Sequence, residues 1–170
     1  ETGIAISYTP LFPDCCYNAS LLGAEILAYA NEIVPDVQDQ KSIVAAVDFV
    51  VSKQKEDGRW NYSMDLKTGS ERSQIDFHQG YVLDSILIIS RLLKINNPAW
   101  ESSMKNGLNF YKDNQFFSNG RSLWRIPREY PVEIHNQSQG VITFLNFSYL
   151  GKEYNDFSRT IAEWTIENMQ

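Results

Sequence analysis

Two stretches of the chain combine a carboxylate with a histidine, and side chains of these two types commonly move protons in enzymes. Asp76 and His78 lie in the first stretch, and Glu129 and His135 lie in the second. A histidine could abstract a proton from a substrate, and two carboxyl groups ~5 to 9.5 Å apart could hydrolyse a glycosidic bond. These four residues are therefore the candidate catalytic residues.

Aromatic and polar side chains occur in the same two stretches. Aromatic rings stack on the apolar faces of sugar rings, and charged or amide groups bond to hydroxyl or carboxylate groups. The candidate substrate-binding residues are Trp60, Tyr62, Trp124, Arg128 and Asn136. A histidine together with Asn136 and a tyrosine such as Tyr62 or Tyr130 would suit proton abstraction beside a uronate carboxylate.

Each role has a structural alternative. A tryptophan that recurs in a turn most often fixes neighbouring elements together, and this is the favoured role of Trp60 and Trp124. Asp76 is equally suited to cap the helix that follows it, because aspartate is preferred at that position. For His78 and His135, a structural and a functional role have equal support.

No metal or cofactor is expected. The two cysteines, Cys15 and Cys16, are adjacent and read as buried free thiols. The two histidines are too few for a zinc site, which takes three or four ligands. The sequence also lacks a phosphate-binding loop, a dinucleotide fingerprint and a serine nucleophile elbow.

The composition excludes two classes of partner. A net charge of −6 and a pI near 4.9 argue against a nucleic-acid surface, which needs clustered Lys and Arg. No apolar run approaches the ~20 residues that span a bilayer, and Asp84 interrupts the longest candidate. We expect a cytoplasmic protein.

Six helices are predicted to position these residues. The first has Leu22, Ile26, Ala30 and Ile33 at helical spacing, and Asn97 with Pro98 forms the start signal of the fourth. The predicted ranges are 19–33, 39–55, 78–95, 98–115, 137–150 and 155–170. They leave two long loops, 57–77 and 117–136, which carry the candidate residues other than His78, the first residue of the third predicted helix.

The helices form a repeat of about 60 residues, which indicates stacked helical hairpins. The turn at Asp57-Gly58-Arg59-Trp60 has an echo at 119–124, where Trp124 matches Trp60 after an insertion. Loops that join successive hairpins emerge at one end of such an array, so the candidates should converge there. We expect one domain over residues 1–170, truncated within the third repeat.

The turn resembles the glutamine-tryptophan motif of the terpenoid cyclases, as Phe49-x4-Gln54-x3-Gly58-x-Trp60. Hairpins of this length with this turn are similar to the α/α toroids, which include the six-hairpin glycosidases and several polysaccharide lyases. The runs 8–18 and 75–85 are similar to bacterial toroid proteins associated with polysaccharide metabolism. The resemblance implies an all-α fold in which about three hairpins form half of a ring.

Some of those bacterial proteins carry the name delta-aminolevulinic acid dehydratase. That activity would require a (β/α)8 barrel with Schiff-base lysines and a metal, whereas nothing in this sequence alternates strands with helices. Its lysines lie at predicted helix ends or in loops, without an apolar pocket that would activate them. The sequence therefore argues against that activity.

Three functions are compatible with the sequence. The favoured one is a carbohydrate-active domain that binds or processes a glycan as a hydrolase, lyase or epimerase, with the remainder of the toroid as a further partner. The alternative is a non-catalytic helical-repeat domain that binds a glycan or a protein. A terpenoid cyclase is disfavoured, because the Asp-x-Asp-Asp motif and a zinc-binding set are absent.

Overall fold

The computed structural model describes residues 4–12 and 14–169 of the chain, and these contain six α-helices and a small sheet. The helices are α1 (Tyr17–Ile33), α2 (Val37–Ser52), α3 (His78–Leu92), α4 (Pro98–Gln115), α5 (Ile134–Asn146) and α6 (Lys152–Asn168). The strands are β1 (Asp14–Cys16), β2 (Ser63–Asp65) and β3 (Glu71–Arg72). A short 3-10 helix covers Ser148–Leu150.

The helices form three hairpins, α1–α2, α3–α4 and α5–α6, arranged side by side. The middle helix α3 packs against both α1 and α5, and α2 packs against α4, which produces two rows of helices. The buried core includes Leu21, Ile43, Leu83, Leu108 and Phe144. This arrangement confirms the predicted all-α architecture of about three helical hairpins. None of the helices in the described part of the chain combines the length and apolar character that crossing a bilayer requires.

The predicted helix starts are confirmed for α4 and displaced for α5. The side chain of Asn97 accepts a hydrogen bond from the backbone N–H of Ala99 at 2.9 Å, and Pro98 follows in the first turn. By contrast, α5 begins earlier than predicted, at Ile134. His135 and Asn136 therefore belong to this helix and not to the second loop.

The apolar stripe predicted for α1 is not its buried face. Leu22, Ile26 and Ile33 are exposed, whereas Leu21 and Ala24 are buried. The helical period was correct but its phase was wrong, because α1 packs on its neighbours partly through small alanine side chains that a search for large apolar residues overlooks. Large apolar side chains consequently line an open side of the row.

The repeated turn has the same backbone structure in both loops. The N–H of Gly58 donates to the carbonyl oxygen of Lys55 at 2.9 Å, and the N–H of Gly120 donates to that of Phe117 at 2.9 Å. The φ angles of Gly58 and Gly120 are 94° and 89°, a region that favours glycine. The echo that the sequence predicted is therefore present.

The residues after each turn correct the predicted alignment. The side chain of Gln79 accepts from the N–H of Trp60 at 2.9 Å and donates to its carbonyl oxygen at 2.7 Å. In the second loop, Gln137 accepts in the same way from the N–H of Ser122 at 2.7 Å. Ser122 is thus the counterpart of Trp60, and the match of Trp124 to Trp60 was wrong.

Both long loops meet at one end of the array, as the hairpin order predicts. Strand β1, which leads into α1, pairs with β2 of the first loop, and β2 pairs with β3. The N–H of Ile126 in the second loop donates to the carbonyl oxygen of Ile75 in the first at 2.9 Å. The N-terminal ends of α3 and α5 open onto this loop end.

Candidate active site at the loop end

The Asp76 carboxylate and the His78 imidazole are in direct contact at the start of α3. Oδ1 of Asp76 bonds Nδ1 of His78 and also accepts the backbone N–H of His78 at 3.2 Å, so capping and pairing occur together. Gln74 donates to Oδ2 of Asp76 at 2.8 Å. The Asp76 side chain is 1% exposed and that of His78 is 17% exposed. The carboxylate is therefore enclosed, while part of the imidazole faces solvent.

The charge of Asp76 is maintained by its partners. Burial by itself would raise the pKa of Asp76, because a charge is disfavoured away from water. The hydrogen bonds and charge of His78, together with the bond from Gln74, outweigh burial and hold the pKa of Asp76 below its ordinary value. A carboxylate on Nδ1 holds the proton there and leaves Nε2 as the nitrogen available to a substrate.

Aromatic rings surround the His78 imidazole. The ring of Phe77 stacks on it at 4.3 Å, Tyr62 meets it edge-on at 4.8 Å, and Tyr81 lies 6.4 Å away, as measured between centroids. His135 stacks on Phe77 at 5.6 Å. The structure thus brings both predicted histidines into one aromatic cluster, formed by Tyr62, Phe77, His78, Tyr81 and His135.

Tyr62 is poorly suited to act as a base. Burial, with a further contribution from its hydrogen bond to Cys16, raises the pKa of Tyr62 to about 12. The guanidinium of Arg72 lies 4.9 Å from the ring centroid. Tyr62 therefore offers a hydroxyl donor and a ring surface at neutral pH.

One residue of the second loop, Arg125, reaches the same carboxylate. Nε of Arg125 lies 3.5 Å from Oδ2 of Asp76, and its guanidinium lies 4.7 Å from the ring centroid of Trp124. Trp124 is half-buried, so part of this residue is exposed to solvent. The two loops therefore join at Asp76.

Glu129 and Arg128 lie outside this contact. Nη2 of Arg121 donates to Glu129 at 2.7 Å, and Glu129 is 49% exposed. Among the described residues, no hydrogen bond or ion pair joins Glu129 to Asp76 or His78. Arg128 is exposed, with its guanidinium 6.0 Å from the Trp124 ring.

Two of the predicted substrate-binding residues are completely buried, so the structure does not support direct ligand contact by either. Nε1 of Trp60 donates to the carbonyl oxygen of Val50 at 2.9 Å, which fixes the first loop to α2. Oδ1 of Asn136 accepts from the N–H of Phe77 at 3.2 Å, and its Nδ2 donates to the carbonyl oxygen of Trp124 at 3.2 Å. Asn136 thereby ties both loops to α5.

Sequence reasoning missed several residues around the pair. Phe77 was passed over, although it lies between Asp76 and His78, which were both singled out. Tyr81 could have been found, because it lies one helical turn beyond His78. Asp84 was noticed only as a break in an apolar run, yet a carboxylate at a buried helical position requires partners and so marks a polar contact.

No group of three or more His, Cys, Asp or Glu side chains suited to a metal ion occurs among the residues that the structure describes. Cys15 and Cys16 are buried and free, as predicted. Burial raises the pKa of Cys15 to about 12, so its thiol is unreactive at neutral pH.

No protein-family model and no curated protein sequence matches the chain. Solved structures do match it. An unsaturated glucuronyl hydrolase from Bacillus sp. GL1 is 14% identical, with a TM-score of 0.72 over 92% of this chain and 47% of its own. A glycoside hydrolase family 76 α-mannanase from Bacteroides thetaiotaomicron is 16% identical, with a TM-score of 0.70 over 98% and 45%. A cellobiose 2-epimerase from Spirochaeta thermophila is 11% identical, with a TM-score of 0.69 over 92% and 45%.

These comparisons establish the fold. The chain has the α/α-toroid fold, as the resemblance of its repeats implies. It spans about half the length of the solved structures that it matches. The described hairpins thus correspond to about half of a toroid.

Proposed function

We propose that this chain is part of a carbohydrate-active α/α toroid that binds a glycan at the loop end and acts on it through His78. The observation that carries the proposal is the enclosed Asp76 carboxylate on Nδ1 of a partly exposed imidazole, set among aromatic rings. The names of similar structures, a glucuronyl hydrolase, an α-mannanase and a cellobiose epimerase, support a sugar as the ligand.

In this proposal, His78 exchanges a proton with the substrate through Nε2. Asp76 fixes the tautomer and stabilises the imidazolium that forms when the proton is taken up. His135 is exposed and stacks on Phe77, the residue that precedes His78. His135 is the second proton-transfer group in this proposal. Two imidazoles suit abstraction and return of a proton beside a carbonyl or carboxylate, as elimination and epimerisation require.

Hydrolysis by Asp76 and Glu129 has weaker support. Asp76 already pairs with His78 and Arg125, and Glu129 pairs with Arg121. Two carboxyl groups that share a glycosidic bond must both be free to face it. Proton abstraction by His78 is therefore the form of the proposal that the contacts favour.

The proposed binding surface combines the ring of Trp124 with the aromatic cluster. Stacking on Trp124 would hold the apolar face of a sugar, while Arg128 beside it would bond hydroxyl or carboxylate groups. Tyr62 adds a hydroxyl donor next to the His78 imidazole. Trp60 and Asn136, which are buried, would hold this surface in place without touching the ligand.

The test uses a panel of neutral and acidic oligosaccharides with the purified 170-residue chain. Binding is measured by titration calorimetry and turnover by NMR of the products, which distinguishes hydrolysis, elimination and epimerisation. His78→Gln should retain binding and lose turnover by a factor of about 100 or more. Trp124→Ala should instead weaken binding. Unchanged turnover of every accepted glycan in His78→Gln would remove His78 from the site.

The second candidate is a non-catalytic glycan-binding domain. One observation favours it: the candidate carboxylates Asp76 and Glu129 each pair with an arginine. Such pairs stabilise loops without any reaction. This candidate predicts saturable binding without turnover by the wild-type chain. Turnover of a glycan by the wild-type chain in the NMR measurement would exclude this candidate.

We also propose that further hairpins of the same repeat complete the cleft by packing against α1. The exposed side chains of Leu22, Ile26 and Ile33 form an apolar face there, of the kind that neighbouring hairpins cover elsewhere in the array. The matched structures are about twice as long as this chain, which supports a further set of hairpins as the occupant.

A further inference from the structure

A buried polar seam lies between α3 and α5. Asp84 of α3 is 7% exposed and accepts three hydrogen bonds, all from α5: from Gln139 at 2.6 Å, from Thr143 at 2.8 Å and from Asn146 at 3.0 Å. We call these four residues the polar seam. Burial of a carboxylate is costly unless its oxygens are bonded in this way. Because the bonds are directional, they fix the position of α3 on α5.

The two helices are also in close contact at Gly80, one helical turn before Asp84. A Cβ atom placed on Gly80 would lie 2.7 Å from the side chain of Gln139 and 2.7 Å from that of Thr143. Glycine is needed for this approach, since any side chain would push the helices apart. A displacement of α3 along α5 would therefore break the hydrogen bonds of the seam.

A further polar contact joins α5 to the Asp76–His78 pair at the N-terminal end of α3. Asn136 of α5 accepts a hydrogen bond from the N–H of Phe77, the residue between Asp76 and His78, at 3.2 Å. Helix α5 thus holds α3 at two points. Asn136 of α5 bonds the residues that lead into α3, and three other side chains of α5 bond Asp84 further along α3. The position of the pair depends on both attachments.

A buried hydroxyl connects the two carboxylates electrostatically. Tyr111 of α4 is completely buried, and burial raises its pKa. The negative charges of Asp84 and Asp76 raise the pKa of Tyr111 further. Both carboxylates therefore act within one poorly screened region, where charges interact more strongly than in water.

We propose that Asp84 is a positioning residue for the Asp76–His78 pair, which it serves by locking α3 onto α5 and by placing its charge where the imidazole senses it. The inference rests on the proposed function only in the role given to His78. Asp84 lies six residues beyond His78, a rise of about 9 Å along the helix. Its effect on His78 is therefore electrostatic and conformational, without direct contact.

The surroundings of Asp84 are mostly acidic or neutral. Burial, with a smaller contribution from the charge of Glu25 on α1, raises the pKa of Asp84 to about 6 against the opposing hydrogen bonds from α5. The other titratable or charged groups that face this region are Asp76, Tyr81, Tyr111 and Arg91, which reaches the carbonyl oxygen of Asn146 at 3.5 Å. Helix α5 supplies only neutral groups to Asp84. Asp84 thus changes charge in the pH range where imidazoles titrate.

The test is an NMR titration of the two histidines, which are the only ones in the chain. In the wild type, the His78 curve should be broader than a one-proton titration, because Asp84 ionises in the same range. In Asp84→Asn the curve should narrow to a one-proton titration, with a midpoint lower by about half a pH unit, because a nearby negative charge that favours the imidazolium is gone. His135, which is exposed, should shift by much less and serves as the internal control.

A second variant protects the test against loss of folding. Thr143→Val removes one hydrogen bond to Asp84 at nearly constant volume and leaves the carboxylate in place. The broadening of the His78 curve that Asp84 causes should then move to higher pH, since a hydrogen bond that favoured the charged form of Asp84 is lost. A His78 curve that stays unchanged in folded Asp84→Asn, or in Thr143→Val if Asp84→Asn does not fold, overturns the proposal. Neither result depends on turnover, so failure of the proposed function remains a separate outcome.

Discussion

The two long loops begin with the same turn and then use it differently. In both, a glycine with positive φ makes the turn, and a glutamine of the next helix bonds the backbone that follows. The residue held by that glutamine is Trp60 in the first loop and Ser122 in the second. A repeated backbone device therefore leaves the choice of side chain free, and that choice decides what the loop can do.

The consequence is a division of roles between the loops. Trp60 fills the core between hairpins, so the first loop is anchored firmly where Asp76 and His78 emerge. The second loop has only the small Ser122 at that position, and its tryptophan, Trp124, lies at the surface beside Arg125. One loop thus supplies the titratable pair, and the other supplies a half-buried tryptophan ring.

The largest test of this comparison is truncation of the two tryptophans. Trp60→Ala should lower the free energy of unfolding by about 3–5 kcal/mol, because it leaves a cavity in the core. It also leaves the carbonyl oxygen of Val50 without its side-chain donor. Trp124→Ala should cost less than about 1 kcal/mol, because half-buried surface residues contribute little. Urea unfolding followed by circular dichroism measures both values, and similar losses in the two variants would refute the division of roles.

A smaller effect is expected from alanine at the turn glycines. In Gly58→Ala and Gly120→Ala the new Cβ would collide with the carbonyl oxygens of Asn106 and Thr160, and the backbone would be strained as well. Each variant should lose at least about 2 kcal/mol of unfolding free energy.

Gly69 provides the matched control for this prediction. Its φ is also positive, at 71°, but a Cβ there would meet nothing within 4 Å. Gly69→Ala isolates the conformational cost, which is about 1–2 kcal/mol. If Gly58→Ala and Gly120→Ala lost no more than this control, the packing of the turns on the outer helices would be unimportant. A loss at only one of them would show that the two turns are not equivalent.

The architecture was accessible from sequence because it depends on local patterns. Helical periodicity, the Asn97 and Pro98 start signal and the spacing of the turns each act within a few residues of the chain. The order of hairpins then dictates that the loops share one end. These features predicted the hairpin array and the neighbourhood of the site without any knowledge of distant contacts.

The parts that failed depend on contacts between distant residues. The buried face of α1 is set by which neighbours it meets, and the sequence of α1 alone does not contain that information. The register of Ser122 against Trp60 depends on Gln137 and Gln79, which lie on later helices. Similarly, the exclusion of Asn136 from solvent follows from the meeting of three elements around it.

The smallest expected effects concern Asp76 in the first loop and Glu129 in the second, which lie in different environments. Asp76→Asn should lower the unfolding free energy at pH 7 by about 1–2 kcal/mol, because a buried, hydrogen-bonded carboxylate is lost. The pKa of Asp76 is depressed in the folded state, so its contribution is present above the pKa of the unfolded chain and disappears as the pH falls through the folded value. The difference between wild type and variant should therefore narrow below about pH 4.

Glu129→Gln is the matched change in the second loop. Its ion pair with Arg121 is half exposed, and exposed pairs contribute about 0.5 kcal/mol or less because solvent screens them. Thermal unfolding across a pH series should thus separate the variants, with a pH-dependent deficit for Asp76→Asn and a nearly flat, small one for Glu129→Gln. Equal, pH-independent deficits would mean that the enclosed pair of the first loop is electrostatically no different from a surface ion pair. In that case the preference for His78, instead of Glu129 in the second loop, as the proton-transfer residue would lose its electrostatic basis.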